Sequence, residues 1–431
     1  AIYFIYKSFL DKSYKFDLLA GIFIALTYLT KTAGLILIPI VIIISIFKLY
    51  KKQYFEIKKK ILMGIVFLIL AIPWWIRNTI LLGFGIQSLF GDYSREALNV
   101  TENNFFLPFI TWIVLYLGFL ALASGIIFFI MNFNLLFSIK KVKNKNLMIY
   151  SLISFLSIVI AIILGANHNT TIIKGYPSLI PWMTGRPFGR YIDVVLPLIF
   201  INGFIGFKLF YKKYSKVFLI STLITAIILL IATQLIFFPL FPVNNMSLVW
   251  IGALKYLFEF IILNKTNFDV IFSWASFLFF TVLFLFIAGI FLFLYKIKKL
   301  NLKGISYFFL IFLFLVSLLS YGVTSFNSNK YWYNQEQMQL GLFVNSLNIK
   351  DSTFLFDERD CTDKISKLNQ ESTCNPGGQT TIIGFWINND IKIGDVSNLE
   401  GIDYVISKHD LDLELIKETK SKIYLYKVEK G

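Results

Sequence analysis

Apolar runs of bilayer length recur along the first three quarters of this chain, and lysine clusters punctuate them at a fixed interval. A helix needs roughly 18 or more predominantly apolar residues to cross a hydrocarbon core of about 30 Å. Such runs lie at 61–78, 108–132, 147–165, 190–207, 217–240, 270–295 and 304–322, preceded by a tighter hairpin of two short spans at 17–30 and 32–47. The lysine clusters are Lys7/Lys12/Lys15, Lys48/Lys51/Lys52/Lys58/Lys59/Lys60, Lys140/Lys141/Lys143/Lys145, Lys208/Lys212/Lys213/Lys216 and Lys296/Lys298/Lys299/Lys303. Two spans separate each cluster from the next, so one side of the membrane collects all five. The positive-inside rule makes that side cytoplasmic. The pattern predicts an α-helical polytopic membrane protein with about nine spans.

Locating the charges also decides what the formal net charge of +16 means. Residues 331–431 carry 11 Lys+Arg and 16 Asp+Glu, whereas residues 1–330 carry 30 basic and 9 acidic groups. The basic excess is therefore membrane topology, and a nucleic-acid footprint is excluded as its explanation. With 57% hydrophobic and 15% charged residues, the chain is too apolar for a soluble globular protein, in which about a quarter of residues are charged. Two domains are expected: a multi-span domain at 1–325 and a small extracytoplasmic α/β domain at 326–431.

Leu248–Leu263 is apolar enough to resemble a further span. It is short, bounded by Asn245 and Asn264, and carries Lys255 and Glu259 at helical i,i+4 spacing, which suits a helix lying on the outer surface. The outer side then consists of 79–107, 166–189, 241–269 and everything after about Ser325. Four Asn-x-Ser/Thr sequons, at Asn99, Asn169, Asn245 and Asn264, fall on that side, as do the only cysteines, Cys361 and Cys374. An oxidising exterior favours a Cys361–Cys374 disulfide over two free thiols. No Cys/His spacing suits a metal, and no cofactor is expected. The chain opens at Ala1 inside an apolar stretch, Ala1–Leu10, that is too short to span. The expectation is a fragment with one or more spans upstream.

After Asn329 turn residues appear. An amphipathic helix is expected at 333–347, followed by strands at Thr353–Phe356, Thr380–Ile387, Asp403–Ser407 and Lys422–Val428. Polar or helical segments separate them, notably Asp360–Asn369 and the turn at Pro376, Gly377 and Gly378. Gly377–Gly378 lacks the spacing of a phosphate-binding loop.

Ionisable groups near lipid depth are functional candidates by default. Of the nine acids of the membrane domain, Asp11, Asp17 and Glu56 are read as cytoplasmic; of the rest only Asp193 lies inside a span, while Asp92, Glu96, Glu102, Glu259 and Asp269 lie on the outer side. Three segments gather outer-side cations beside aromatics: ALTYLTKTAGLILIP at 25–39 with Lys31, AIPWWIRN at 71–78 with Arg77, and MTGRPFGRYIDVVLP at 183–197 with Arg186, Arg190, Tyr191 and Asp193. Any one of these cations suits interface anchoring. Together they suit a seat for a lipid phosphate, because guanidinium forks and ammonium groups match phosphate oxygens.

These segments resemble the GT-C superfamily of integral-membrane glycosyltransferases, in particular the branch of protein O-mannosyltransferases and lipid A aminoarabinose transferases. GIFIALTYLTKTAGLILIP is similar to that branch's G-L-A-x-L-T-K-x-x-G stretch, PWWIRN to its P-W-x-x-R-N and GRYIDVVLP to its R-Y-x-x-x-x-x-P. The likeness covers roughly residues 17–210. It implies a polyprenyl-phosphate-linked sugar as donor, an active site at the outer membrane surface, and inversion at the anomeric carbon, with the acceptor unspecified. Lys31, Arg77, Arg186, Arg190 and Tyr191 would then hold the donor phosphate or sugar. The resemblance also implies a catalytic Asp or Glu in a first outer loop upstream of this chain, which leaves Asp193, Glu96 and Asp92 as fallback candidates. The readings from other classes are a lipid-linked saccharide flippase using the same cations without bond cleavage, and a wall-polysaccharide ligase.

Overall fold

The computed structural model describes residues 1–30, 32–50, 54–85, 88–89, 105–139, 144–171, 189–210, 216–237, 245–264, 273–297, 301–328, 336–347, 349, 352–357, 359, 383–387, 389–420 and 422–428. They divide into two compact units, Ala1–Ser320 and Tyr321–Gly431.

Every described regular element of the first unit is a helix: α1 (Ile2–Leu10), α2 (Lys15–Thr30), α3 (Leu37–Tyr50), α4 (Tyr54–Leu82), α5 (Phe106–Ala123), α6 (Ile127–Phe137), α7 (Lys145–Thr171), α8 (Leu196–Phe210), α9 (Lys216–Ala232), α10 (Val249–Leu257), α11 (Trp274–Lys296) and α12 (Leu302–Ser328), with short 3-10 and π pieces between them. Hydrocarbon surroundings favour this outcome, since only a helix satisfies its backbone groups within one segment. Among the described residues six helical stretches are long and apolar enough to cross a membrane: Ile57–Leu81, Phe106–Ala123, Asn146–Thr170, Lys216–Phe237, Trp274–Lys296 and Leu302–Ser325. Three other expected spans are shorter, at 16 residues in α2, 14 in α3 and 15 in α8.

The run at 108–132 is not one continuous helix. It breaks at Ser124–Ile126, where Gly125 has φ 71° and Ile126 φ 67°. That conformation costs glycine little and a β-branched residue a good deal. The break is held because the Ile126 N–H still donates to the Ala121 carbonyl at 2.7 Å and the Ser124 hydroxyl donates back to the Leu120 carbonyl at 2.7 Å. Ile126 itself is fully buried. Below the break α6 lies against α8, whose Gly203 and Gly206 face the backbone of Phe128 and Met131. Two missing side chains thus allow the close helix approach that packing in lipid rewards.

Two apolar cores result. One gathers α1 to α4 around Ile24, Tyr28, Ile40 and Phe67, with Ile149 and Ile153 of α7. The other gathers α5 to α12 around Phe119, Phe128, Leu229 and Phe284, with Ile158, Ala161 and Ile162 of the same α7. Helix α7 is therefore the wall shared by both cores.

Two charged features differ from the sequence expectation. Lys59 and Lys60, read as solvated members of a cytoplasmic cluster, are buried and flank the fully buried Asp17, at 3.3 and 2.5 Å. Lys60 also donates to the Ser8 carbonyl at 2.9 Å, and Lys59 donates to the Asp11 carbonyl. The last carbonyls of α1 thereby receive donors that the helix itself cannot supply. The outer-surface segment forms α10 followed by a π-helical turn, Phe258–Ile262. Its Glu259 is buried and accepts from Ser276 at 3.0 Å, while Lys255 donates to the Ile236 carbonyl at 2.9 Å. Both members of the i,i+4 pair thus bond within the protein.

The second unit has helix α13 (Glu336–Ser346) and strands β1 (Thr353–Asp357), β2 (Asp390–Gly394), β3 (Tyr404–Ser407), β4 (Glu414–Glu418) and β5 (Tyr424–Lys427). The sheet order is β2-β1-β3-β5-β4, parallel across β2, β1 and β3 and antiparallel across β3, β5 and β4. Leu340 and Val344 of α13 pack on Phe354, Phe356, Ile406 and Leu425. The expected strand 380–387 is corrected: Ile383–Phe385 is a helical turn. Strands β2 and β4 were not expected, because both are edge strands that mix charge with apolar residues, DIKIG and ELIKE. Asp360–Asn369, the turn at Pro376–Gly378, and Cys361 and Cys374 with their expected disulfide lie outside the described residues.

Candidate functional site

The first two sequence segments meet in space. Helices α2 and α4 pack against each other, and near their C-terminal ends Trp75 Nε1 donates to the Tyr28 hydroxyl at 2.6 Å, which donates to the Leu89 carbonyl at 2.7 Å. Asn78 Nδ2 reaches the Ser88 carbonyl at 3.2 Å. The chain leaving α4 is thus folded back onto the α2–α4 pair. Gly34 explains the tightness of the hairpin between α2 and α3: a Cβ there would sit 2.6 Å from the carbonyl carbon of Thr27. Lys31, in that hairpin, lies outside the described residues. Arg77 is exposed at the outer end of α4, 5.1 Å above the Trp74 ring.

Below this level runs an apolar groove of about 590 Å³ between α3 and α4. Its wall includes Leu35, Ile38, Ile42 and Leu49 on one side and Lys60, Met63, Phe67 and Trp75 on the other. Lys60 and Trp75 are fifteen residues apart on one helix, so the groove extends for roughly 22 Å at 1.5 Å per residue. Trp75 belongs both to its outer end and to the Tyr28 clamp.

The third segment approaches from the other face of α7. That helix packs both on the 3-10 turn Thr32–Ile36 and on the helical turn Gly189–Ile192, and a Cβ on Gly165 would lie 2.8 Å from Ile192. Arg190 and Tyr191 sit in this turn, and their side chains lie outside the described residues. Asp193 follows in a 3-10 turn, Asp193–Val195, directly before α8. Ser247 donates to Asp193 Oδ1 at 2.7 Å, and Asn245 Oδ1 accepts from the Gly189 N–H at 2.6 Å. Arg186, Asp92 and Glu96 lie outside the described residues.

Sequence reasoning missed Tyr28, Asn78, Asn245 and Ser247. The last two were visible only as a sequon, and the structure gives that pattern another use: Asn245 is fully buried. Asn169 is also fully buried, at the end of α7, whereas Asn264 is exposed. Among the described residues no group of three or more His, Cys, Asp or Glu side chains could hold a metal ion.

No protein-family model, curated protein or solved structure matches this chain. The geometry alone must carry the functional reading.

Proposed function

We propose that this protein is a membrane glycosyltransferase that moves a sugar from a polyprenyl-phosphate carrier to an acceptor on the outer face of the membrane. The observation that carries the reading is amphiphilic: one helix, α4, lines a hydrocarbon groove and ends in the exposed guanidinium of Arg77. A lipid whose chain lies in the groove would bring its phosphate toward the exposed Arg77, and this reading adds Lys31 and Arg190, whose neighbouring turns Thr32–Ile36 and Gly189–Ile192 both pack on α7. Guanidinium and ammonium groups at that level would stabilise the leaving phosphate as the sugar departs. In this reading α2, α3 and α8 join the six longer helices as spans, giving nine. The five lysine clusters face the cytoplasm of a cell membrane, and the acidic α/β domain stands outside. Among the acids of the chain itself, Asp193, Asp92 and Glu96 are the fallback candidates for the catalytic carboxylate.

Arg77→Ala, Arg190→Ala and Lys31→Ala in the full chain test this directly. Each is expected to reduce sugar transfer from a polyprenyl-phosphate donor by at least tenfold at unchanged expression. Unchanged transfer in all three would overturn the phosphate seat.

The break at Ser124–Ile126 favours one second reading, a lipid-linked saccharide flippase, because discontinuous helices mark substrate sites in transporters. A flippase would translocate the labelled donor across a vesicle bilayer with its sugar–phosphate bond intact.

A further inference from the structure

The turn at Asn245–Ser247 reaches back across more than fifty residues to grip the segment that carries Arg190 and Tyr191. Both of its polar side chains take part in that grip. Asn245 takes the Gly189 N–H at 2.6 Å and is fully buried, and Ser247 donates to Asp193 Oδ1 at 2.7 Å. Gly189 must be glycine for this closeness: a Cβ would lie 2.9 Å from Asp193 Oδ2, 3.0 Å from Asn245 Oδ1 and 3.1 Å from Phe119 Cζ. The carboxylate of Asp193 is therefore fixed in orientation, with one oxygen committed. Among the described residues no donor reaches its Oδ2, and the side chain is only partly buried. A carboxylate held on one oxygen and open on the other, at the outer end of a span, has its remaining acceptor capacity available to a ligand.

We propose that Asp193 is a ligand contact, accepting a hydrogen bond on Oδ2 from a hydroxyl or amino group of the lipid-linked sugar, and that Asn245 and Ser247 are positioning residues that aim it. The assignment rests on the transferase reading and deepens it. It gives the outer site an acceptor for the sugar beside donors for the phosphate. Hydroxyl and amino groups donate to a fixed carboxylate, whereas the phosphate diester of the carrier has no proton to give and is repelled by it. Asp193 is thus placed to separate the sugar-bearing carrier from the bare polyprenyl phosphate that transfer leaves behind. The Asn245-Met246-Ser247 pattern owes its presence to this grip, and Asn245 in the folded protein is closed to modification.

The test uses the full chain in lipid nanodiscs, titrated with undecaprenyl phosphate and with a panel of undecaprenyl-phosphate hexoses and pentoses. Asp193→Asn and Ser247→Ala are expected to weaken binding of the preferred sugar-bearing lipid by roughly tenfold and to leave binding of bare undecaprenyl phosphate within twofold. Ser247→Thr, which keeps the hydroxyl, restores the sugar-bearing lipid. Equal weakening of both lipids would overturn the assignment, because a general loss of structure does not discriminate between them. Unchanged binding of both in Asp193→Asn would overturn it too, leaving the transferase reading intact. A native protein that binds neither lipid would sink the transferase reading and this assignment with it.

Discussion

Trp75 donates its indole N–H to the hydroxyl of Tyr28 at 2.6 Å, and Tyr28 passes the bond on to the Leu89 carbonyl. Two sequence segments separated by nearly fifty residues are joined by this relay at the outer end of α2 and α4. Tyr28→Phe removes the middle of it and leaves a partly buried N–H and a carbonyl unpaired, at a cost of about 1–3 kcal/mol. The expected outcome is a lower thermal midpoint for the detergent-solubilised protein and, if the site is as proposed, weaker donor binding. Trp75→Phe, which removes only the donor at the near end, should cost less.

The buried trio of Asp17, Lys59 and Lys60 gives a sharper stability prediction. Asp17→Asn leaves two buried ammonium groups without a counter-charge from this carboxylate, and unpairing a buried charge costs about 3–5 kcal/mol. The yield of monodisperse protein on size exclusion should fall severely. Asp17→Glu, which keeps the charge at a longer reach, should retain more of it.

Gly206 lies over the Met131 carbonyl, with Gly203 one turn above on Phe128. A methyl group at Gly206 pushes α8 off α6 and should destabilise the protein by about 1–3 kcal/mol. Gly289, with open space around it, is the control. Gly289→Ala should shift the thermal midpoint little, and an equal loss at both positions would contradict the close packing.

In the second unit, Asp357 ends β1 buried. Burial alone would raise its pKa. The hydrogen bonds from Arg359 and from Ser407 at 2.7 Å, with the Arg359 charge, outweigh it and hold the carboxyl below the usual carboxylate range. Because the folded value is depressed, this group's contribution is fully present above the unfolded pKa of about 3.9 and is lost as pH falls through the folded value. Hydrogen exchange of β1 and β3 peptides should therefore quicken below about pH 4. In Ser407→Ala the folded value rises toward the unfolded one, because one of the bonds that favour the charged form is gone, so the acid-induced quickening should be smaller. An unchanged amplitude would contradict the coupling.

The helical class, the placement of most helices and the existence of a small mixed second unit were legible because apolar run length is a one-dimensional signal. Strands β1, β3 and β5 were legible for the same kind of reason, being short β-rich runs. The helix break at Gly125–Ile126 was not, since nothing local to ALASGIIF forces a positive φ on an isoleucine. The edge strands β2 and β4 were hidden because the charges that protect an edge read as loop or helix.

For the candidate site, the sequence by itself determined which residue types stand near the ends of which apolar runs: Lys31, Arg77, Arg190, Tyr191 and Asp193 are read from run boundaries and motif. The tertiary structure alone decided what touches what. Tyr28 on Trp75, Lys60 on Asp17 and Asn245 on Gly189 join positions 43 to 56 residues apart. Hydropathy is indifferent to such pairs, because a buried hydrogen bond depends on where two helices cross, and no periodicity in one segment encodes its neighbour's register.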